Sequence, residues 1–256
     1  MKISVVTVSH NSESTILSTL ESVLAQSYAD YELIIVDGAS SDGTMEVVRE
    51  FEPRFGDKLR YISEPDSGIY DGMNKGIAMA SGDVIGFLNS DDYFTSNDIL
   101  QKVANALICS DVDAVYGDVH YVRSTNLNRC VRYYSSKRFR PWKMLMGWMP
   151  AHPSFYCRRE IYEKYGQFDA NLSLAADFDL MLRLIYINNI NTRYLPLDFV
   201  TMRMGGASSR GVDSHSVIIR EHIYSFRKNG VRSNVLLDCM RYPFKLWEFV
   251  IGCFVH

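Results

Sequence analysis

YELIIVD, residues 31–37, and VIGFLNSDD, residues 84–92, are apolar runs that each end abruptly in carboxylate-rich sequence. A short continuous apolar run bounded by turn residues is the pattern of a strand buried on both faces. In an open α/β sheet, ligands bind outside the carboxyl ends of such strands. Two strands that carry Asp37 and the tetrad Asn89-Ser90-Asp91-Asp92 to one edge therefore predict a site for a base, a ribose and a metal-bound diphosphate. A hard divalent cation, Mg2+ or Mn2+, takes oxygen from one or two carboxylates and lets substrate phosphates complete its shell. The structural alternative is that these acids shape turns and cap helices.

Outward from these runs, the first 118 residues alternate strand and helix patterns. Residues 3–8 read as a buried strand, and residues 12–26 place Ile16, Leu17, Leu20, Val23 and Leu24 at helical spacing. A short helix over 43–51 follows the second strand, opened by Ser40-Ser41-Asp42, with Asp42 as a cap. Strands are expected at 59–62 and 84–88, and helices at 70–79 and 97–108. Repeated βα units with short loops imply a mainly parallel, Rossmann-like sheet flanked by helices. Neither GxGxxG after a strand nor GxxxxGK[ST] is present, which argues against a dinucleotide oxidoreductase or a P-loop enzyme.

The second half is less regular. Residues 114–121 read as a strand with a glycine irregularity, and 129–143 as an exposed hairpin or mobile loop. Helices are expected at 159–165, 177–188 and 217–228. Residues 205–216, GGASSRGVDSHS with Met204 excluded, read as a flexible loop, and a terminal helical extension follows. The domain plan is a nucleotide-sugar-binding half (1–118), an acceptor-binding and catalytic half of the same domain (119–204), and the loop with its extension (205–256).

The chain has 256 residues, 47% of them apolar, enough for one large domain with a substantial core. Cys109, Cys130, Cys157, Cys239 and Cys253 are odd in number and show no CxxC spacing, so they read as reduced thiols in a cytoplasmic protein. The start, MKISVVTVSHNSE, turns polar too early for a signal peptide. No run approaches the roughly 20 apolar residues of a membrane span. The net charge of −3 conceals an asymmetry: residues 1–118 carry −13 and residues 119–256 carry +10. The basic half suits phosphates, anionic lipid or the acidic half itself; no nucleic-acid-binding motif accompanies it.

Four stretches, SVVTVSHNSESTILSTLESVLAQSY, YELIIVDGASSDGT, ISEPDSGIYDGMNKGIAMASGDVIGFLNSDD and HPSFYCRREIYEKYGQFD, are followed by LAADFDLMLR. In this order and spacing the chain resembles the family-2 glycosyltransferases, which have the A-type nucleotide-sugar fold. The resemblance covers about residues 1–205. It implies transfer of a sugar from a nucleoside diphosphate, usually with inversion. It looks most like bacterial enzymes that build capsule, exopolysaccharide or O-antigen on lipid-linked glycan acceptors.

The resemblance also assigns roles. Asp37 becomes the base reader, since a carboxylate can accept a hydrogen bond from a ring N–H of uracil, thymine or guanine; the donor is then a UDP, GDP or dTDP sugar. Thr7, Asn11 and Glu13 fall in the first loop, where backbone amides and a helix N-terminus can hold nucleotide. His10 reads as polar surface. Asp71, Asn74 and Lys75 fall beside the nucleotide, where many relatives carry an Arg at the position of Met73. Asp91 matches the second acid of the family's Asp-x-Asp motif and is the metal ligand; Asn89 replaces the first acid, and Ser90 lies between them. Asp92 is the compensating acid. His152 falls on the acceptor or diphosphate side. Asp177 matches the catalytic base, with Ala176 where relatives usually have an acid. Asp179 reads as structural, pairing with Arg183 at i,i+4.

Three further expectations concern the second half. Trp142, Trp148 and the methionines of 144–149 read as an acceptor-side wall or as core. Arg203 and Arg210 flank a loop that would close over diphosphate. The basic, apolar segment 241–255 suits an interfacial helix at the inner face of the plasma membrane, or docking on the catalytic domain or on a second subunit of a homodimer. Two rival readings share the overall pattern. A sugar-nucleotide nucleotidyltransferase would carry a Gly-rich, basic loop after the first strand, where this chain has residues 9–14, SHNSES. A catalytically silent nucleotide-binding scaffold would account for Met73, Asn89 and Ala176.

Overall fold

A computed structural model describes residues 1–205 and 212–240. The central part of the expected flexible loop, with Arg210, and the segment 241–255 lie outside the described residues. The first half runs β1 (Ile3–Ser9), α1 (Ile16–Leu24), β2 (Tyr31–Asp37), α2 (Thr44–Phe55), β3 (Leu59–Ser63), α3 (Ile69–Met79) and β4 (Val84–Phe87). It continues through the short β5 (Tyr93–Phe94) and α4 (Ile99–Ile108). The second half adds β6 (Ala114–Arg123), β7 (Asn126–Tyr134), β8 (Tyr156–Arg158), α5 (Arg159–Tyr165), α6 (Ala176–Met181), β9 (Thr192–Arg203), α7 (Val212–Lys228) and α8 (Val235–Cys239).

All nine described strands join one sheet in the order β3-β2-β1-β4-β8-β6-β9-β5, with β7 paired outside this path to β6. β3, β2, β1 and β4 are parallel throughout, as the βα repeats require. β6 and β9 are also parallel, while β8, β7 and β5 pair antiparallel. Every residue of β1, β2 and β4 is buried. Successive side chains of a strand point to opposite faces. Ile3, Val5, Leu33 and Ile35 accordingly pack with α1, α2 and α4, through residues such as Leu20, Val48 and Val103. Val6, Val8, Ile34 and Val36 pack on the other face with Tyr70, Met73 and Ile77 of α3 and with α5 and α6.

Apart from the two-residue β5, the departures from the sequence pattern lie in the second half, where residues 212–216 of the expected flexible loop belong to α7. β8 and β9 are absent from the sequence reading, because β8 is only three residues long and β9 contains Pro196. Proline removes a ladder donor and is confined to edges and irregularities. Here the β6·β9 register shifts between Tyr116 and Asp118, next to Pro196. A Cβ on Gly117 would approach the Leu197 carbonyl to 2.6 Å, so the bulge and the glycine belong together. β6 and β7 form a hairpin over 114–134, so of the hairpin or mobile loop expected at 129–143 only 129–134 belong to it. The single helix expected over 177–188 is instead α6 followed by a wider π-helical turn, Leu182–Ile187. Such turns recur at functional sites.

At the amino end of the sheet, away from the acid-bearing strand ends, Glu32 is a buried carboxylate. It accepts from Ser4 Oγ (2.6 Å), Lys2 Nζ (2.9 Å) and the Ser81 and Gly82 amides (2.7 and 3.2 Å). Burial works to raise its pKa, but the hydrogen bonds from Ser4, Ser81 and Lys2 outweigh it and bring the carboxyl from 4.5 down to about 2. A depressed folded-state pKa gives stability that is complete above the unfolded value and is lost as pH falls toward the folded one. The shift corresponds to about 3 kcal/mol at neutral pH. Urea midpoints of the wild type should therefore fall between pH 5 and pH 3. The Glu32→Gln variant should start lower and change less over that range; parallel curves would contradict this role. No helix among the described residues is long and apolar enough to cross a membrane.

Candidate active site

The carboxyl ends of β1, β2 and β3 bring Ser9, Asp37 and Ser63 into one register row. Asp37 is fully buried and accepts from Ser9 Oγ (3.0 Å), Ser63 Oγ (2.7 Å), Ser40 Oγ (2.5 Å) and the Ser40 amide (2.9 Å). Burial pushes its pKa up, but these bonds prevail and hold the carboxyl below the usual range. The first and second βα loops are zipped together beside it. Asn11, at a φ of 49°, accepts from the Ser41 amide (2.9 Å), and Glu13 accepts from the Gly43 amide (3.1 Å). Asp42 accepts from the amides of Glu13 and Thr44, both at 3.1 Å, so it ties the two loops together; the N-cap position of α2, expected at Asp42, is held by Gly43 without a side-chain cap. Deeper in β1, the Thr7 hydroxyl is buried without a hydrogen-bond partner. Asp66 abuts the glycines of this edge: a Cβ on Gly38 would lie 2.7 Å from its Oδ2.

The turn after β4 carries the acid tetrad. The Asp92 amide donates to the Asn89 carbonyl (3.0 Å), and Ser90 Oγ meets Ser12 Oγ at 2.8 Å. Arg203, at the end of β9, fastens this turn: Nη1 donates to the Asp91 carbonyl (2.6 Å), Nη2 to Ser18 Oγ (2.9 Å), and its amide to Asp92 Oδ1 (3.3 Å). Asp92 is buried, and burial first, then the charge of Asp91, drives its pKa well above the usual range. Asp91 is the more exposed carboxylate of the pair. Two adjacent acids that disfavour each other's charge are a setting that a divalent cation relieves. Among the described residues no group of three or more His, Cys, Asp or Glu side chains could cage a metal. The donor set thus fits a cation completed by phosphate oxygens rather than one held by protein alone.

Asp177 lies in the first turn of α6, partly buried. Its Oδ1 accepts from the Phe178 amide (2.8 Å) and from the Tyr70 hydroxyl of α3 (3.3 Å). Burial raises its pKa; the Phe178 amide, His222 and Tyr70 pull the other way without cancelling the rise. Burial pushes the Tyr121 hydroxyl of β6 up against the pull of Arg132, and Asp92 and Asp177 add to the rise, so this phenol lies within the field of both acids.

The family model described as "Glycosyl transferase family 2" matches residues 4–166. The chain belongs to family 2 of the glycosyltransferases. A "PGL/p-HBAD biosynthesis glycosyltransferase" of Mycobacterium tuberculosis is 31% identical over 196 residues, 76% of this chain and 74% of that protein. A second, otherwise uncharacterised glycosyltransferase of the same species is 32% identical over 208 residues, 79% of this chain and 76% of that protein. In fold, the chain is similar to S. aureus TarS 1-349 in complex with UDP-GlcNAc, with TM-score 0.67 and 20% identity over 88% of this chain. It spans 66% of that chain and 40% of a longer TarS structure. The mannosyltransferase PcManGT of Pyrobaculum calidifontis, in complex with GDP-Man and Mn2+, gives TM-score 0.66 at 19% identity over 97% of this chain and 73% of that one.

In this glycosyltransferase the sequence-selected side chains divide by position. Asp37, Asn11, Glu13, Asn89, Ser90 and Asp91 converge on the carboxyl edge of β1, β2 and β4. Thr7 lies deeper in β1 and Asp177 on α6, while Asp71, Asn74, Lys75 and His152 make other contacts. Asn74 spends its amide on the Phe168 backbone, donating and accepting at 3.0 Å. Lys75 pairs with Glu64 (2.9 Å) and Asp71 (3.7 Å), and Asp71 also accepts from the Ser67 amide. His152 is buried, stacked on Phe87 and edge-on to Phe168, and burial lowers its pKa to about 4, so it is neutral. Asp179 is buried and pairs with Arg183 at 2.9 Å, as its i,i+4 spacing predicts. Trp142 is exposed while Met144 is core, and the Lys143 ammonium lies over the Trp148 ring. Sequence reasoning missed Tyr70, whose hydroxyl meets Asp177 only through tertiary packing, and Tyr121, which the fold brings into the field of Asp92 and Asp177.

Proposed function

We propose that this glycosyltransferase moves a sugar with inversion from a nucleoside-diphosphate sugar to a hydroxyl of a lipid-linked glycan in bacterial surface-polysaccharide assembly. Asp177 carries the reading. It is a partly exposed carboxylate held by Tyr70 and the Phe178 amide, with its pKa raised toward the working range of a general base. Asp177 takes the proton of the acceptor hydroxyl as that oxygen bonds to the anomeric carbon. The bond from that carbon to the diphosphate oxygen breaks, and its electron pair leaves with the nucleoside diphosphate. Asp91 would hold Mg2+ or Mn2+, which when bound supplies neutralising charge to the departing diphosphate.

Asp37, Thr7, Asn11 and Glu13 form the nucleoside side of the proposed site, with Asn89 and Ser90 beside the ribose. Asp71, Asn74, Lys75 and His152 support that pocket from α3 and the core. The saturation of Asp37 by Ser9, Ser40 and Ser63 implies that base binding displaces or shares a serine hydroxyl. Residues 1–118 serve as the donor half, 119–204 as the acceptor half, and 205–256 as an extension. The extension would meet the inner face of the plasma membrane through residues 241–255, or a second subunit. Exposed Val235, Leu236 and Met240 beside Arg232 favour the membrane. UDP-GlcNAc and GDP-Man in the similar structures make UDP and GDP sugars the first donors to try.

Calorimetry with UDP, GDP, dTDP and ADP, each with and without Mn2+, tests the donor class. Tight, metal-dependent binding of one of the first three is the expected result. No metal-dependent binding to any of them would favour a silent scaffold.

A further inference from the structure

The helix that bears Asp177 begins without a cap of its own. Ala175 occupies the N-cap position of α6 and contributes no side-chain hydrogen bond. The first amides of a helix have no partner within it, and a buried unpaired amide is costly. In this chain α7 supplies an acceptor for the N-cap amide, that of Ala175, and for the two amides before it. Glu221 Oε1 accepts from the Ser173 amide (2.8 Å) and Ser173 Oγ (2.6 Å). Its Oε2 accepts from the Leu174 amide (2.9 Å) and the Ala175 amide (2.8 Å). Both oxygens are thus occupied by the three-residue approach to Ala176 and Asp177, Ser173 to Ala175.

The same helix holds α6 at further points. His222 is buried, stacks on Phe178 at 3.7 Å between ring centroids, and meets Asp238 of α8 through Nδ1 at 2.7 Å. Phe226 packs edge-on against Phe178. Asn229 donates to Asp179 Oδ1 at 3.0 Å. Phe178 is the neighbour whose amide donates to Asp177, so its placement sets the direction of that bond. Burial works to raise the pKa of Glu221, but Ser173, Leu174 and Ala175 hold it below the usual range, so the cap is a charged acceptor.

We infer that Glu221 is a positioning residue for catalysis, a cap supplied from α7 that fixes the start of α6 and with it the aim of Asp177. The inference rests on Asp177 being the base. A cap from elsewhere in the chain lets the donor site and the base be tuned separately: the bonds of Glu221 go to residues 173–175, whereas Asp37 and Asp91, the proposed donor contacts, stand at the end of β2 and after β4. Misplacing a catalytic group by about 1 Å costs roughly 10²-fold in rate.

Steady-state kinetics with the full chain and its best donor, together with calorimetric donor affinity, provide the test. Glu221→Ala is expected to lower kcat by roughly 10²-fold with the donor dissociation constant within about twofold of wild type. Glu221→Gln, which keeps one carbonyl acceptor, should recover part of that loss. Lys228→Ala, on the same helix but paired with Asp169, should leave kcat unchanged. Should the alanine variant fail to fold, the glutamine variant decides: a kcat equal to wild type overturns the inference. Donor affinity that falls in step with kcat also overturns it, since that marks general loosening. An inactive Asp177→Asn with a fully active Glu221→Ala sinks this inference alone, whereas a fully active Asp177→Asn sinks the reading of the base.

Discussion

Asp177→Asn is expected to lower kcat by about 10³-fold, within the 10²–10⁴ range of general acid–base catalysis, while the affinity for nucleotide and donor stays unchanged. The change removes proton-accepting ability and little else. Asparagine is nearly isosteric, and its carbonyl can still accept from the Phe178 amide. Donor contacts are proposed on the strand ends of β1, β2 and β4, away from α6. A loss confined to donor affinity would move Asp177 out of the chemistry. The pH profile adds an independent readout. The base works only when deprotonated, and its folded pKa lies above the ordinary aspartate value of 3.8. The acidic limb of kcat/KM should therefore fall at higher pH than for an ordinary aspartate. Groups acting on this carboxyl are Tyr70 of α3 by a hydrogen bond, and His222 of α7 and Tyr121 of β6 through their fields. Tyr70→Phe removes a donor that favours the carboxylate and should move the limb further up. A downward movement would mean that this hydroxyl does not favour the ionised form.

Asp91→Ala is the second large effect. Loss of an outer-shell partner alone costs about 10–100-fold in metal affinity, so loss of a direct ligand should cost roughly 10²-fold or more. Calorimetry of the preferred nucleoside diphosphate with Mn2+ should show that weakening, and the difference between titrations with and without Mn2+ should vanish. The neighbouring acid gives the contrast. Asp92 is buried, and burial together with Asp91 favours its neutral form, which asparagine mimics. Asp92→Asn should be the milder change. If Asp92→Asn abolishes metal-dependent binding and Asp91→Ala does not, the two assignments are exchanged.

Local pattern was informative where the chain satisfies its own neighbours. β1, β2 and β4 are continuous apolar runs because they are central parallel strands, covered on both faces. Their abrupt acidic ends marked the edge where Asp37 and Asp91 now stand. α5 coincides with its expected range because its apolar positions recur at helical spacing. The antiparallel additions were another matter. β8 and β9 acquire strand geometry only by pairing with β4 and β6, and Pro196 hid β9 from any local pattern.

Family membership, the α/β architecture and the acids at two strand ends could all be read along the chain, since each is carried by residues close together in sequence. The state of those acids could not. Asp37 is wrapped by hydroxyls from three elements, Asp92 is buried under Arg203 from 111 residues away, and Asp177 is set by Tyr70 from 107 residues away. Glu221 is a surface-looking residue in an amphipathic helix until the fold brings it under the amides of 173–175. Hydrogen bonding and desolvation depend on distance in space, and only packing decides which distant groups share it.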